Sequence, residues 1–320
     1  MRPALPRFLN RRTAALAVTG AALAFSPLAG GATAQLSAAA LDAASCYTPV
    51  ANGGAAAKGG PGGDTRSISA SEQKAIAART AAILKAKRER GIYVPQGALV
   101  SASVPVYVHV MAAADGTGNV TDQQIADHIA VLNKTYAGQE SSQAANTGFT
   151  FTLAGTDRYY NNTWHKDRQS TSYRSKTRLG GANALNIWLV DFSYLGIATF
   201  PWDYANNPGI DGIRVHYRSI PGGDYTNYNL GETATHEAGH WFGLYHTFQG
   251  GCTSTNDEVS DTPAQSSSTS GCPEGRDSCS LPGLDPIHNY MDYSYDTCYN
   301  QFTPGQSTRM SNMWTAYRAG

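Results

Sequence analysis

Residues 235–246 read Thr235-His236-Glu237-Ala238-Gly239-His240-Trp241-Phe242-Gly243-Leu244-Tyr245-His246. Two residues four apart in a helix lie on the same face, so His236 and His240 can present imidazole nitrogens to one metal ion. Glu237 lies beside them without joining the ligands, where its carboxylate is the natural base for a metal-bound water. The pattern therefore predicts a helix that carries a metal site together with a base.

The residues after the second histidine predict how a third one joins the site. Gly243 follows His240 by three positions, where a left-handed backbone can end the helix and turn the chain back. His246 can then bind from outside the helix, and three neutral imidazoles leave a fourth position open, as catalytic Zn²⁺ requires. A helix with incidental surface histidines is the alternative, and the offsets of Gly243 and His246 argue against it.

Charge and composition limit the function classes further. The chain has 24 basic and 24 acidic residues, but residues 101–320 contain twelve bases and twenty acids, a net charge near −8. A body that acidic disfavours nucleic-acid binding and suits basic ligands or divalent cations. Hydrophobic residues make up 41% of the chain, which is ample for a core. We also expect the folded protein to be a monomer.

The first 34 residues have the features of an export signal. Four arginines precede an apolar run from Ala14 to about Ala29, and Ala32-Thr33-Ala34 is a suitable cleavage signal. The run is too short and too weakly apolar for a stable membrane span, so a membrane anchor is the lesser alternative. We expect cleavage after Ala34 and a secreted, extracellular protein without membrane contact, in a compartment that permits disulfides.

Residues 35–100 divide into a linker and a helix. Residues 35–66 are rich in Ala and Gly and poor in bulky apolar side chains, which is typical of an unpacked linker. A capping box at Ser69-Ala70-Ser71-Glu72 predicts a helix that continues to about Arg90 and ends at Gly91. We expect residues 35–100 to form a pro-segment ahead of a catalytic domain at residues 101–320.

From residue 101 onward, the sequence predicts strands that alternate with helices, which indicates a mixed α/β fold. The expected strands lie near residues 104–110, 149–153, 185–190 and 213–217. One helix follows the cap at Thr121, and a last helix runs from Thr303 to about Tyr317. Histidines without ligand spacing are expected to be structural, namely His109, His128, His165 and His216.

A second motif, Asn289-Tyr290-Met291-Asp292-Tyr293, completes a resemblance to the metzincin zinc endopeptidases, and the flanking sequence is most similar to the pappalysin group. The resemblance covers about residues 101–320 and is strongest from Asn229 to Gln306. It implies a mixed twisted sheet with packed helices above the active-site cleft, at about residues 101–243. Below the cleft it implies an irregular, disulfide-bonded subdomain with a Met-turn, at about residues 244–320.

The resemblance implies roles for three residues around the expected zinc. Met291 would form an apolar floor under the histidines, and Tyr293 would donate to the oxyanion of the reaction, with a core tyrosine as the alternative. Asp296 would line the pocket for the side chain after the scissile bond, where a carboxylate accompanies a preference for Arg or Lys. With that preference, the bond before Arg66 becomes a candidate site of self-processing.

The chain has five cysteines, and four lie within 47 residues, at Cys252, Cys272, Cys279 and Cys298. Two disulfides are expected in an exported protein, in any of three pairings, and a zinc ion bound by all four is disfavoured because no C-x-x-C pair is present. The resemblance implies the pairs Cys252–Cys279 and Cys272–Cys298. For the fifth, Cys46, the resemblance to metzincin zymogens implies a cysteine switch that blocks the open zinc position, and a cysteine merely lost with the pro-segment is the alternative.

Three acidic residues after the first of these cysteines suggest a second metal. Asp257, Glu258 and Asp261 group carboxylates in one loop, which suits Ca²⁺ as a structural ion. No EF-hand spacing is present, so a solvated acidic loop accounts for them equally well.

The predicted reaction is hydrolysis of peptide bonds in proteins and peptides, with Glu237 as general base and then general acid. The rival interpretation is a metal-stabilised extracellular binding module without turnover, which has no use for a base beside its ligands. An exopeptidase would need a pocket for a free chain end, and the sequence gives no signal for one.

Overall fold

The computed structural model describes residues 68–92 and 99–319. The expected signal peptide, Cys46 and the bond before Arg66 lie outside these residues. Within them, no helix combines the length and the apolar composition that a membrane span needs.

A five-stranded sheet forms the upper part of the fold. Its strands are β1 (Ala102–Ala112), β2 (Phe149–Tyr160), β3 (Leu185–Val190), β4 (Gly196–Ala198) and β5 (Ile213–His216). Their order is β2-β1-β3-β5-β4, and every neighbouring pair is parallel except β4 with β5 at the edge. The four predicted strands and the mixed α/β class are confirmed. Strand β4 has only three residues, which is too short to leave a pattern in the sequence.

Helices cover the sheet and continue below it. In the described residues they are α1 (Ala70–Glu89), α2 (Asp122–Tyr136), α3 (Asn162–His165), α4 (Ser170–Thr177), α5 (Glu232–Trp241) and α6 (Pro304–Met313). The predicted caps at Ser69, Thr121 and Thr303 each accept a hydrogen bond from the backbone three residues on. The last helix extends about as far as predicted, but residues 314–318 widen into a π-helical turn that carries Arg318 onto the buried Asp211.

The main core lies between the sheet and helices α2 and α5. All six side chains of β3 are buried, as expected of a central strand covered on both faces. Aromatic rings fill the junction between the sheet and the C-terminal end of α5. The ring of Phe242 lies 4.3 Å from that of Phe149 and 5.9 Å from that of Trp314. This packing fixes α5 against the sheet.

The four histidines that were expected to be structural lie in the upper subdomain. His109 is bonded to Asp157 at 2.8 Å and to Asn186 at 2.9 Å. Burial lowers the pKa of His128 to about 4, so this ring is neutral at neutral pH. None of the four belongs to a group of three potential metal ligands among the described residues.

The lower subdomain depends on crosslinks rather than on regular structure. Between α5 and α6 the chain contains turns, bends and one isolated bridge but no helix or strand. Disulfides join Cys252 to Cys279 and Cys272 to Cys298, the pairs that the resemblance implies. Since all four sulfurs are consumed in these bonds, they cannot form a four-cysteine zinc site.

Helix α1 packs on the same unit as residues 99–319, although it was expected to belong to a pro-segment. Ile76 lies in a buried cluster with Trp202, Tyr245 and Met313. The Thr80 hydroxyl lies 2.9 Å from the Tyr317 hydroxyl, and Lys87 Nζ donates to a backbone carbonyl of the π-helical turn at 2.5 Å.

These contacts predict that α1 stabilises the catalytic unit. Replacing Ile76, which is 4% exposed, by Ala should lower the free energy of unfolding by about 2–4 kcal/mol, because it leaves a cavity in the cluster. The matched control is Ile92→Ala, since Ile92 is 47% exposed and should cost less than about 0.5 kcal/mol. Urea unfolding of protein that retains α1 measures both changes in stability. Equal stabilities of Ile76→Ala and Ile92→Ala would show that α1 does not support the fold.

Candidate active site

Helix α5 ends in a glycine turn that carries the third histidine toward the first two. Gly243 has a φ angle of +95°, which favours glycine. Its N–H donates to the carbonyl of His240 at 2.8 Å, and the N–H of Leu244 donates to the carbonyl of Gly239 at 2.9 Å. These two bonds form a Schellman motif, which ends the helix and reverses the chain. His246 therefore returns to the helix face, as the sequence predicted.

The three histidines of the motif converge through their Nε2 atoms. His240 Nε2 lies 3.1 Å from His236 Nε2 and 3.0 Å from His246 Nε2, and all three residues are buried. Only one other group of three potential ligands is found in the described residues. That group contains Cys272 and Cys298, whose sulfurs form a disulfide.

The bonds of the other ring nitrogens show what this cluster can bind. His236 Nδ1 lies 2.6 Å from the Tyr290 carbonyl, and His240 Nδ1 lies 2.8 Å from the Leu244 carbonyl. A carbonyl only accepts, so each Nδ1 carries a proton and donates, and Nε2 of the neutral ring carries a lone pair. Lone pairs that face each other repel unless a cation lies between them. Nitrogen ligands of a tetrahedral zinc ion stand about 3.3 Å apart, so these residues fit zinc.

Aromatic rings surround the histidines. Phe248 stacks on His246 with 4.7 Å between ring centroids, and Phe200 meets His240 edge-on at 5.6 Å. The ring of Tyr293 lies 5.0 Å from that of His246. The site is thus apolar on two sides, and a phenol borders it on a third.

Glu237 is 2% exposed and packs against the edge strand β4. A Cβ atom at Gly196 would lie 2.3 Å from Glu237 Oε1 and 2.4 Å from its Cγ. Only a glycine leaves room for the carboxylate at this position. Helix α5 and strand β4 together therefore fix the Glu237 side chain next to the metal ligands.

The Met-turn lies directly under α5. Met291 is fully buried, and a Cβ atom at Gly239 would lie 2.4 Å from its Sδ. Asn289 holds the turn, since its Oδ1 accepts from the N–H of Met291 at 3.0 Å and its amide donates to a glutamine of α6 at 2.8 Å. Because the Tyr290 carbonyl accepts from His236, this turn orients a ligand as well as supporting the helix.

Asp296 lies at the N-terminus of α5 and is 4% exposed. Its Oδ2 accepts from the N–H of Leu230 at 2.8 Å. Burial raises the pKa of Asp296 to about 7, against the opposing effect of backbone bonds from Leu230, Glu232 and Gly231. The carboxyl group borders a cavity that Glu232 also lines.

The three acidic residues of the expected calcium loop do not converge on one point. Glu258 is exposed, whereas Asp257 is buried and accepts from a backbone N–H at 3.1 Å. Asp261 accepts from the Thr303 hydroxyl at 2.7 Å and from the N–H of Gly305 at 2.8 Å, so it stabilises the start of α6. No group of three potential ligands in the described residues contains them, and the calcium site stays a prediction.

Known proteins of similar sequence are secreted peptidases by name. The sequence profile of the peptidase family described as pregnancy-associated plasma protein-A matches residues 192–315. An extracellular metalloprotease of Neurospora crassa is 50% identical over 225 residues, which cover 68% of this chain and 76% of that protein. This chain belongs to the pappalysin family. The expected membership is thereby confirmed, and this pappalysin is a zinc metalloendopeptidase rather than a binding module without turnover.

Two solved structures from Tannerella forsythia resemble this pappalysin. Mature mirolysin in complex with a cleaved peptide is 31% identical with a TM-score of 0.57, covering 67% of this chain and 91% of that one. A promirolysin mutant is 26% identical with a TM-score of 0.62, covering 79% of this chain and 94% of that one. These likenesses confirm the metzincin fold, and peptides are the substrates of such a protease.

Sequence reasoning missed two residues of this pappalysin site. Nothing in the sequence links Gly196 to Glu237, because only the pairing of β4 with β5 brings the glycine to α5. Glu232 had a detectable signal, since it precedes His236 by four positions and so lies on the metal-binding face of the helix.

The buried Asp257 yields a prediction about the acidic loop. Burial raises its pKa to about 8, so between pH 4 and 8 the folded chain holds a proton that the unfolded chain releases, and stability falls as pH rises. Replacing Asp257 by Asn should therefore stabilise the protein by about 3–4 kcal/mol more at pH 8 than at pH 5. Urea unfolding in calcium-free buffer with zinc present measures this difference.

The control for this prediction is Asp127→Asn, because Asp127 is exposed and its replacement should change the stability by less than about 0.5 kcal/mol. Destabilisation by Asp257→Asn would support the calcium loop instead. In that case the loss of stability relative to the wild type would grow when calcium is added.

Proposed function

We propose that this chain is a secreted zinc endopeptidase in which Glu237 transfers the protons of the reaction and which cleaves before Arg or Lys. The observation that carries the catalytic part is the convergence of three imidazole Nε2 atoms beside a buried carboxylate on the same helix. Three ligands with lone pairs aimed at one point, next to one base, are the groups needed for hydrolysis by a metal-activated water.

The roles of the chain's own residues follow from their positions. A zinc ion held by His236, His240 and His246 would polarise the scissile carbonyl and lower the pKa of the attacking water. Glu237 takes a proton from that water and later gives it to the leaving amine. Tyr293 borders the histidines, where its hydroxyl can donate to the carbonyl oxygen as that oxygen gains negative charge.

The cavity beside α5 supports a preference for basic side chains. Asp296, Glu232 and Glu140 line it, and Lys134 is the one basic residue among its lining residues. An excess of buried carboxyl groups attracts a guanidinium or ammonium group and disfavours an acidic side chain. Asp296 is the residue that the family resemblance assigns to this preference.

Secretion and maturation complete the proposal. The related proteins are known as extracellular metalloproteases, which supports export, in agreement with the signal features of residues 1–34. We propose that the pro-segment keeps the enzyme inactive through Cys46 and that cleavage before Arg66 releases it. That cleavage would leave α1 attached to the catalytic domain, because α1 (Ala70–Glu89) lies on the C-terminal side of the bond.

Two substitutions test the role of Glu237. Glu237→Gln should lower kcat by about 10²–10⁴-fold without loss of bound zinc, because it removes the base and leaves the imidazoles intact. Gly196→Ala should lower kcat at least about tenfold, because its Cβ displaces the Glu237 carboxylate. Peptide turnover and zinc content by mass spectrometry measure both effects.

The matched control is Gly209→Ala, because a Cβ there lies 3.5 Å from its nearest neighbour, an ordinary contact. This variant should keep the activity of the wild type. Unchanged turnover in Glu237→Gln would contradict the proposed role, and loss of zinc from that variant would assign Glu237 to the ligands instead.

Matched peptides that differ only after the scissile bond test the preference. The wild type should cleave the Arg and Lys peptides faster than the Leu and Glu peptides. Asp296→Asn should reduce the ratio of kcat/KM for Arg over Leu by about tenfold or more, because it removes a buried charge from the pocket. Asp127→Asn serves as the surface control, and a wild-type preference for Leu would contradict the assignment.

A further inference from the structure

A cavity of about 470 Å³ opens beside the first turn of α5. Its walls come from α2, from the loop that follows α2, from the start of α5 and from residues 296–300. Leu230 lies on its wall and is 48% exposed, so the cavity is open to solvent. Three carboxyl groups and one ammonium group line it, which makes it a place for a cation.

Two of these carboxyl groups are already bonded within the protein. Glu140 accepts from Lys134 Nζ at 2.8 Å and from the Tyr290 hydroxyl at 2.8 Å, one bond for each oxygen. Asp296 accepts from the backbone N–H of Leu230 at 2.8 Å. Their charges are therefore partly compensated before any ligand enters.

Glu232 has a side-chain hydrogen bond with Thr235, but one of its carboxyl oxygens is left over. It is the first residue of α5 and is 4% exposed, and its Oε2 atom has no hydrogen-bond partner. Burial, followed by the nearby charges of Glu140 and Asp296, raises the pKa of Glu232 well above its ordinary value. A buried carboxyl oxygen without a partner is costly, and a cation from outside the chain would satisfy it.

The position of Glu232 relates the cavity to the metal site. Glu232 precedes His236 by one helical turn, so both side chains lie on the same face of α5, about 6 Å apart along its axis. Tyr290 contacts both the metal site and the cavity, because its carbonyl accepts from His236 and its hydroxyl donates to Glu140. The cavity therefore lies about one helical turn along α5 from a residue of the metal site.

We propose that Glu232 is a second specificity-determining residue, which binds the guanidinium or ammonium group of the substrate residue after the scissile bond together with Asp296. This inference rests on the proposed preference for Arg or Lys and adds a residue of this chain to it. Asp296 is held by backbone donors at the start of α5, whereas Glu232 has an oxygen left for the ligand. An incoming cation would keep both carboxyl groups ionised.

The test compares two peptides that differ only in Arg or Leu after the scissile bond. Glu232→Gln should lower the ratio of kcat/KM for Arg over Leu by about tenfold, while cleavage of the Leu peptide stays within about twofold of the wild type. Glu232→Asp retains the charge and should keep more of the ratio than Glu232→Gln. Glu274→Gln is the matched control, because the Glu274 side chain is 72% exposed.

Each outcome has a separate meaning. If the wild type prefers Arg and Glu232→Gln keeps the full ratio, the inference is wrong and the proposed function stands. If Glu232→Gln slows both peptides equally, Glu232 acts only in the structure of α5, and the inference is also wrong. A wild type without preference for basic residues would overturn the inference together with the proposed specificity. Thermal unfolding of each variant shows that the folds are comparable.

Discussion

The structure depends on three imidazole nitrogens that face one another at 3.0–3.1 Å inside the protein. Backbone carbonyls fix the tautomers of His236 and His240, so their lone pairs point inward and only a cation relieves the repulsion. The Leu244 carbonyl belongs to the glycine turn after α5, and the Tyr290 carbonyl belongs to the Met-turn below it. The sequence contains a motif for each of these turns. Metal binding, helix termination and the lower subdomain are therefore parts of one arrangement.

The irregular lower subdomain is ordered by specific bonds rather than by a large core. Disulfides close its loops, and the pairing of Asn289 with a glutamine of α6 holds the Met-turn under α5. At the C-terminal end of α5, Arg318 stacks on Trp241 and forms a bidentate pair with the buried Asp211. The active-site helix is thus held by chain segments that are distant in sequence.

Features that depend on local spacing could be predicted from the sequence, and features that depend on tertiary contact could not. The ligand spacing, the turn at Gly243 and the alternating strands are local patterns, and the structure contains all of them. The contact of Gly196 with Glu237 arises only when a three-residue strand pairs at the sheet edge. The bonds of Asp261 to the first turn of α6 likewise join residues more than forty positions apart, and the acidic pattern of the loop does not predict them.

X-ray absorption at the zinc edge can show whether the three histidines bind one ion, on active enzyme freed of its pro-segment and loaded with one equivalent of zinc. We expect three imidazole nitrogens and one light oxygen ligand, all at about 2.0–2.2 Å, with no sulfur. Fewer than three imidazoles, or a sulfur ligand near about 2.3 Å, would contradict the convergence of His236, His240 and His246 on one ion.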